Sequence, residues 1–139
     1  MSYDPTNIFG KILRGEIPCH KVYEDADAIV FMDVMPQSAG HALVVPKAAS
    51  RNVLDADLDV LAKILPLVQK VAIAATAAFK ADGITVMQFN EPAGGQKVFH
   101  LHYHVIPRFD GVALKSHTGK MEDSAVLSAH AEKLKAALG

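Results

Sequence analysis

From Phe99 to Val105 every second residue is apolar, and the residues between them are His100, His102 and His104. A period of two belongs to an extended strand, where alternate side chains share a face. A strand over Val98–Pro107 therefore predicts three imidazoles in a row, each about 6.6 Å from the next along the chain. Phe99, Leu101, Tyr103 and Val105 would take the opposite, buried face. Imidazole fills a core poorly and must find polar partners when buried, so three in line point to chemistry. Two kinds fit these residues. Alternating histidines can offer nitrogens to one zinc, with a further ligand from elsewhere. Alternatively, a neutral imidazole attacks phosphorus while nearby donors hold the phosphoryl oxygens. The loop Gly94-Gly95-Gln96 just before the strand favours the second, because its backbone N–H groups can approach an anion closely. No cysteine lies nearby to support a metal.

The remaining chain supplies a frame for that strand. Residues 1–6 read as a loose tail. Asn7 caps a short helix through about Arg14, closed by Gly15, with Ile8, Ile12 and Leu13 turned inward. Strands follow at Lys21–Tyr23 and Ala28–Met32, with a turn at Asp25–Asp27, and a third at His41–Val45 stops at Pro46. Leu58, Leu61, Leu65, Val68, Ala72, Ala75 and Phe79 recur at helical steps, predicting one long helix over about Asp55–Ala81. Asp82-Gly83 would end it, and Pro66 would kink it or divide it in two. Ile84–Phe89 reads as a fourth strand. Residues 111–139 form an extension whose end, Leu127 to Leu138, is a final amphipathic helix. Strands joined by turns, with helices to one side, predict a single α+β domain over 1–139 with a five-stranded antiparallel sheet, one long helix and two shorter ones.

Composition removes several functions. Half the residues are hydrophobic, enough for a core without staples, and the net charge of −1 gives no field for nucleic acid. The most apolar run, Val71 to Phe79, is too short to span a bilayer and no signal peptide opens the chain. Cys19 is the lone cysteine, a small apolar filler, so no intrachain disulfide forms. These features predict a soluble cytoplasmic protein with no nucleic acid or membrane as partner.

His100-Leu101-His102-Tyr103-His104-Val105-Ile106 resembles the signature of the histidine triad nucleotide-binding family, His-φ-His-φ-His-φ-φ with φ apolar. Ile8–Ile12, Gly15–Pro18, Phe31–Gln37, Gly40–Lys47, Asn90-Glu91 and Gly94–Gln96 resemble other family segments in the same order, so the likeness spans roughly Ile8 to Arg108. The opening segments and the tail are most like the bacterial members of the Hint-like branch. The resemblance implies that His102 attacks the α-phosphorus of a nucleotidyl conjugate and carries the nucleotidyl group. The carbonyl of His100 would hold the His102 Nδ1 proton, His104 would contact the phosphate, and His41 would stand beside the triad. Asp33 would take the ribose hydroxyls, and Phe31, Met32 and Val34 would enclose a base, with a purine favoured. Asn90, Gly95, Gln96, Lys97 and Val98 would border the phosphate. The implied activity is hydrolysis of nucleoside 5'-phosphoramidates or related conjugates, without cofactor or metal. Alternatives are a dinucleoside polyphosphate hydrolase and a nucleotide-sensing adaptor with vestigial catalysis. The resemblance also implies a homodimer with a continuous sheet, in which the long helix and the strand after Asn90 meet their symmetry mates.

Two departures stand out. Many relatives carry Ser or Thr after the glutamine, where this chain has Lys97. An early CxxC pair that binds zinc in some bacterial relatives is replaced by Asn7 and Gly10. His20, His117 and His130 have no motif around them and read as surface residues.

Overall fold

The computed structural model describes residues 2–117 and 120–139. The chain runs α1 (Ile8–Leu13), β1 (Lys21–Glu24), β2 (Ala28–Met32), β3 (Ala42–Pro46), α2 (Leu58–Phe79), β4 (Gly83–Met87), β5 (Tyr103–Arg108) and α3 (Ser124–Leu138), with a short 3-10 turn at Pro92–Gly94. All strand pairs are antiparallel, and the five-stranded sheet has the order β1-β2-β3-β5-β4. The expected α+β architecture is therefore present.

The period of two in β2 and β3 decides which residues meet which layer. Every residue of both strands is buried, because both sheet faces are covered. Val30, Met32, Ala42 and Val44 join Tyr103 and Val105 under α2 and α3, against Val68, Val71, Leu127 and Leu134. Ile29, Phe31, Leu43 and Val45 face the other way, where Phe9 of α1 covers them. His104 lies opposite Leu43 in the ladder, so its ring belongs to this second face.

Several boundaries differ from expectation for identifiable reasons. α2 runs unbroken through Pro66 instead of splitting. Pro66 and Ala62 both face solvent, so the carbonyl that loses its helical donor is not stranded in the core. By length and composition α2 could cross a bilayer, yet one side of it packs on the sheet and on α3. Its end comes at Lys80, which takes the left-handed conformation with φ 50°. In α1, Asn7 Oδ1 accepts the Gly10 N–H at 2.8 Å as expected of a cap. The buried residues are Phe9 and Gly10, however, and Ile8 is 46% exposed.

β5 begins at Tyr103, not Val98, so His100 and His102 precede the ladder. Pro46, at the end of β3, has no N–H to offer a longer pairing. Its carbonyl instead accepts from the His100 ring at 2.7 Å, and the Leu101 N–H turns to Ser50 O at 2.8 Å. β5 is also an interior strand between β3 and β4, so it has no free edge for a symmetry mate. The edge on that side of the sheet is β4.

The N-terminal tail is not loose at Tyr3. Its hydroxyl bonds His100 Nδ1 at 2.6 Å and accepts from Asn7 Nδ2 at 3.0 Å.

Candidate active site

The imidazole protons can be assigned from the fixed backbone groups around them. Gln37 N–H points at His41 Nδ1 at 3.1 Å, so that nitrogen is bare and the proton of neutral His41 sits on Nε2. His41 Nε2–H then donates to His104 Nδ1 at 2.9 Å, which leaves the His104 proton on its own Nε2. His102 Nδ1 lies 2.6 Å from the carbonyl of His100 and must donate to it, so His102 Nε2 carries a free lone pair. The His102 and His104 rings stand 5.0 Å apart. The pair thus offers an unprotonated nitrogen beside a nitrogen that bears a proton, which is a nucleophile next to a donor.

Burial keeps these rings neutral. His102 is pushed down to about 4, His104 to about 3 and His41 to about 2, chiefly by desolvation and further by the neighbouring imidazoles. Burial also lowers His100. In the unfolded chain each would titrate near pH 6.5. Between about 6.5 and 4 the unfolded chain therefore takes up protons that the folded chain refuses, and stability falls as pH falls. Asp33, raised by burial, works in the opposite sense, but as one group against four. The slope approaches about 1.4 kcal/mol per pH unit for each histidine. Melting followed by circular dichroism from pH 7.5 to 4.5 should show the midpoint dropping steadily, and a flat midpoint would contradict the neutral cluster.

Asp33, His41 and His104 place ligand-type atoms within 4.8 Å of one another. Metal binding by His41 Nε2 would require its proton to move to Nδ1, where Gln37 N–H already points. The cluster as built is linked by protons and is poorly set for a cation.

The structure redistributes the other expected site residues. Phe31 lies on the imidazole face, where Phe9 packs edge-on against it at 5.4 Å and against the His102 ring at 4.8 Å. Met32 points to the opposite face, into the core beneath α2 and α3, and Val34 packs against that same core. Adjacent residues on a strand take opposite faces, so the Met32 side chain does not stand beside Phe31; Val34 lies beyond β2 and is only half-buried. Phe9, which no sequence motif marks, is the apolar side chain packed directly on the His102 ring, with Ile12 and Leu13 half-buried beside it.

Gln96 and Asn90 are committed to the fold. Gln96 Oε1 accepts from Glu91 N–H and Asn52 Nδ2, at 2.8 and 3.1 Å, while its Nε2 donates to Arg51 O and Val98 O, at 2.8 and 3.0 Å. Asn90 Oδ1 accepts from Val53 N–H at 3.0 Å, and its amide exchanges bonds with Gln88. Arg51 grips Glu91 with two nitrogens, at 2.7 and 2.9 Å. This clasp holds Glu91 at φ 66°, a costly conformation for a residue with a side chain. The loop N–H groups of Gly94, Gly95 and Gln96 are satisfied by Glu91 and Pro92 carbonyls, so they do not offer themselves to an anion. Gly95 is required at φ 97°, where a Cβ would also press on the Phe89 ring at 3.2 Å. Among the described residues nothing accepts from the N–H groups of Lys97, Val98, Phe99 and His100, so this run of backbone donors leads into the triad unpaired. The Lys97 side chain is exposed.

Asp33 is buried and accepts the Met35 N–H at 2.9 Å. His117 is exposed, as expected of a surface residue, yet its Nε2 reaches both oxygens of the same carboxylate, at 3.3 and 3.2 Å. The extension carrying it is tied to the loop after β2 by Lys115 N–H to Gln37 O and Glu122 N–H to Val34 O, both 2.8 Å. No pattern in the irregular stretch after Arg108 marks His117 in advance. His130 is half-buried with its ring 5.3 Å from Phe79.

Comparison with known proteins agrees with this geometry. A family model for the HIT domain matches residues 14–111. The crystal structure of a HIT-like protein involved in cell-cycle regulation from Bartonella henselae superposes with a TM-score of 0.92 at 52% identity, covering 98% of this chain and 99% of that one. An adenosine 5'-monophosphoramidase of Schizosaccharomyces pombe is 42% identical over 101 residues, 73% of each chain. An adenylylsulfatase of Arabidopsis thaliana is 33% identical over 124 residues, 85% of this chain and 63% of that protein.

Proposed function

The chain belongs to the HIT family, as a hydrolase of the histidine triad type, and from that premise we propose that it cleaves nucleoside 5'-phosphoramidates or related nucleotidyl conjugates through a covalent intermediate on His102. The observation that carries this reading is the bare His102 Nε2, fixed by the 2.6 Å bond from Nδ1 to the His100 carbonyl. The lone pair of Nε2 forms a bond to the α-phosphorus as the bond to the leaving nitrogen breaks, and the departing amine takes up a proton from solvent. Water then attacks the same phosphorus, the N–P bond breaks, and a nucleoside monophosphate leaves with His102 neutral again. The His104 Nε2–H and the N–H groups of Lys97 and Val98 are the donors for the phosphoryl oxygens. Asp33 accepts from the ribose, and Phe9 and Phe31 provide the apolar wall for the base, preferentially a purine. The two relatives named for their reactions differ in leaving group, an amine in one and sulfate in the other, but share the adenylyl part. That common part supports attack at the α-phosphorus.

Turnover of adenosine 5'-phosphoramidate and of a diadenosine polyphosphate, measured side by side, tests the substrate class. The phosphoramidate is expected to have the higher kcat/KM, by tenfold or more. A preference for the dinucleotide would move the protein to the alternative reading.

A homodimer belongs to the same proposal, through β4 instead of the strand after Asn90. β4 is an edge strand, with Val86 48% exposed, and α2 shows Leu65 and Ile73 to solvent at 53% and 65%. Joining two β4 edges would make one continuous sheet. Sedimentation at the monomer mass of 14.9 kDa at all concentrations would remove the dimer. The lone Cys19 suits a reducing cytoplasm as the place of action.

A further inference from the structure

We propose that Tyr3 is a positioning residue for the reaction, acting on His102 through His100; the kinetic half of this inference rests on the hydrolase reading above. The direction of each proton in the link follows from its end groups. Asn7 Oδ1 is occupied as the α1 cap, so its amide nitrogen donates to the Tyr3 oxygen at 3.0 Å. The Tyr3 hydroxyl proton therefore goes to His100 Nδ1 at 2.6 Å. That bond requires a bare Nδ1 and places the single proton of neutral His100 on Nε2, where Pro46 O accepts it at 2.7 Å.

The consequence reaches the reacting nitrogen. His100 is gripped at both ring nitrogens and is 1% exposed, so its position and hence its carbonyl have little freedom. Residues 100 to 102 precede the β5 ladder, and the Leu101 N–H bond to Ser50 O at 2.8 Å holds one side of the His100–Leu101 peptide while the His100 ring anchors the other. The His100 carbonyl is what holds the His102 Nδ1 proton and keeps Nε2 bare and aimed. Without the Tyr3 donor the His100 ring has one anchor, and its Nδ1 can take the proton in place of Nε2, which releases Pro46. Loss of a bond of this kind propagates as loss of alignment, which a reaction feels far more than binding does.

The test is Tyr3→Phe, which keeps the ring and removes only the hydroxyl, together with Asn7→Asp. Aspartate keeps the helix cap but turns the donor to Tyr3 into an acceptor, so the hydroxyl proton swings away from His100. Both variants are expected to lower kcat for adenosine 5'-phosphoramidate about tenfold with KM changed less than twofold. Imidazole 15N chemical shifts report tautomers without any substrate. In the wild type His100 is expected as the Nε2–H form, and in both variants as a mixture of the two neutral forms. Wild-type kinetics in the variants, or a lowered kcat with His100 still wholly Nε2–H, would overturn the proposal. A wild-type protein that fails to turn over the phosphoramidate sinks the hydrolase reading alone, and the 15N shifts then decide whether Tyr3 sets the His100 tautomer.

Discussion

His102→Ala is expected to lower turnover of a nucleoside phosphoramidate by at least about 10⁴-fold while leaving AMP binding within a few-fold of wild type. The separation follows from what the ring does. Its Nε2 forms the bond to phosphorus, whereas the base would be held by Phe9 and Phe31 and the ribose by Asp33, none of which depends on the ring's nitrogen. The fold should survive, because among the described residues the His102 ring makes one hydrogen bond, from Nδ1–H to a backbone carbonyl. His104→Ala should be milder, since it removes a donor to the phosphoryl oxygens and leaves the nucleophile in place. Initial rates for kcat, with AMP affinity by calorimetry, check both. Equal losses of rate and affinity in His102→Ala would mean that the residue binds substrate without bonding to it.

Gln96→Ala is expected to be the most damaging change outside the triad, and mainly to stability. The side chain is 3% exposed and makes four hydrogen bonds. Alanine strands two carbonyls, one backbone N–H and the Asn52 amide, each costing about 1–3 kcal/mol unless water enters. A loss of roughly 3–4 kcal/mol, or about 10 °C in Tm for a domain of this size, is the expected outcome. The strained Glu91 is released at the same time, so the loop that leads into the triad should loosen and kcat should fall as well. Urea denaturation and kinetics on the same variant decide between this and a direct phosphate contact by the side chain. A contact would raise KM and leave the unfolding midpoint unchanged.

These two residues also show what a linear pattern can and cannot reveal. The triad was legible because alternation is a backbone property: Leu101, Tyr103 and Val105 had to face the core, so His102 and His104 had to face away from it. The same parity, applied to β2, places Met32 under α2 although the family likeness groups it with Phe31. The likeness concerns a segment, whereas a side chain's direction follows its position on the pleat. The glycine-rich loop misled for another reason. Its N–H groups turned out to be consumed within its own turn, an accounting that needs the partners' coordinates. The ends of the chain were the least legible. Tyr3 and His117 reach the site from tails without periodicity, by hydrogen bonds to residues 97 and 84 positions away. β5 started late because Pro46 has no donor, a local rule visible in sequence once the register of β3 against β5 is known.

The most direct test of the account is to quench a reaction with an adenylated amine within its first turnovers and map the protein by mass spectrometry. An AMP adduct is expected on His102, absent in His102→Ala and lost on standing in water. An adduct on His100 or His104, or rapid single-turnover hydrolysis with no protein-bound AMP at any time, would contradict it.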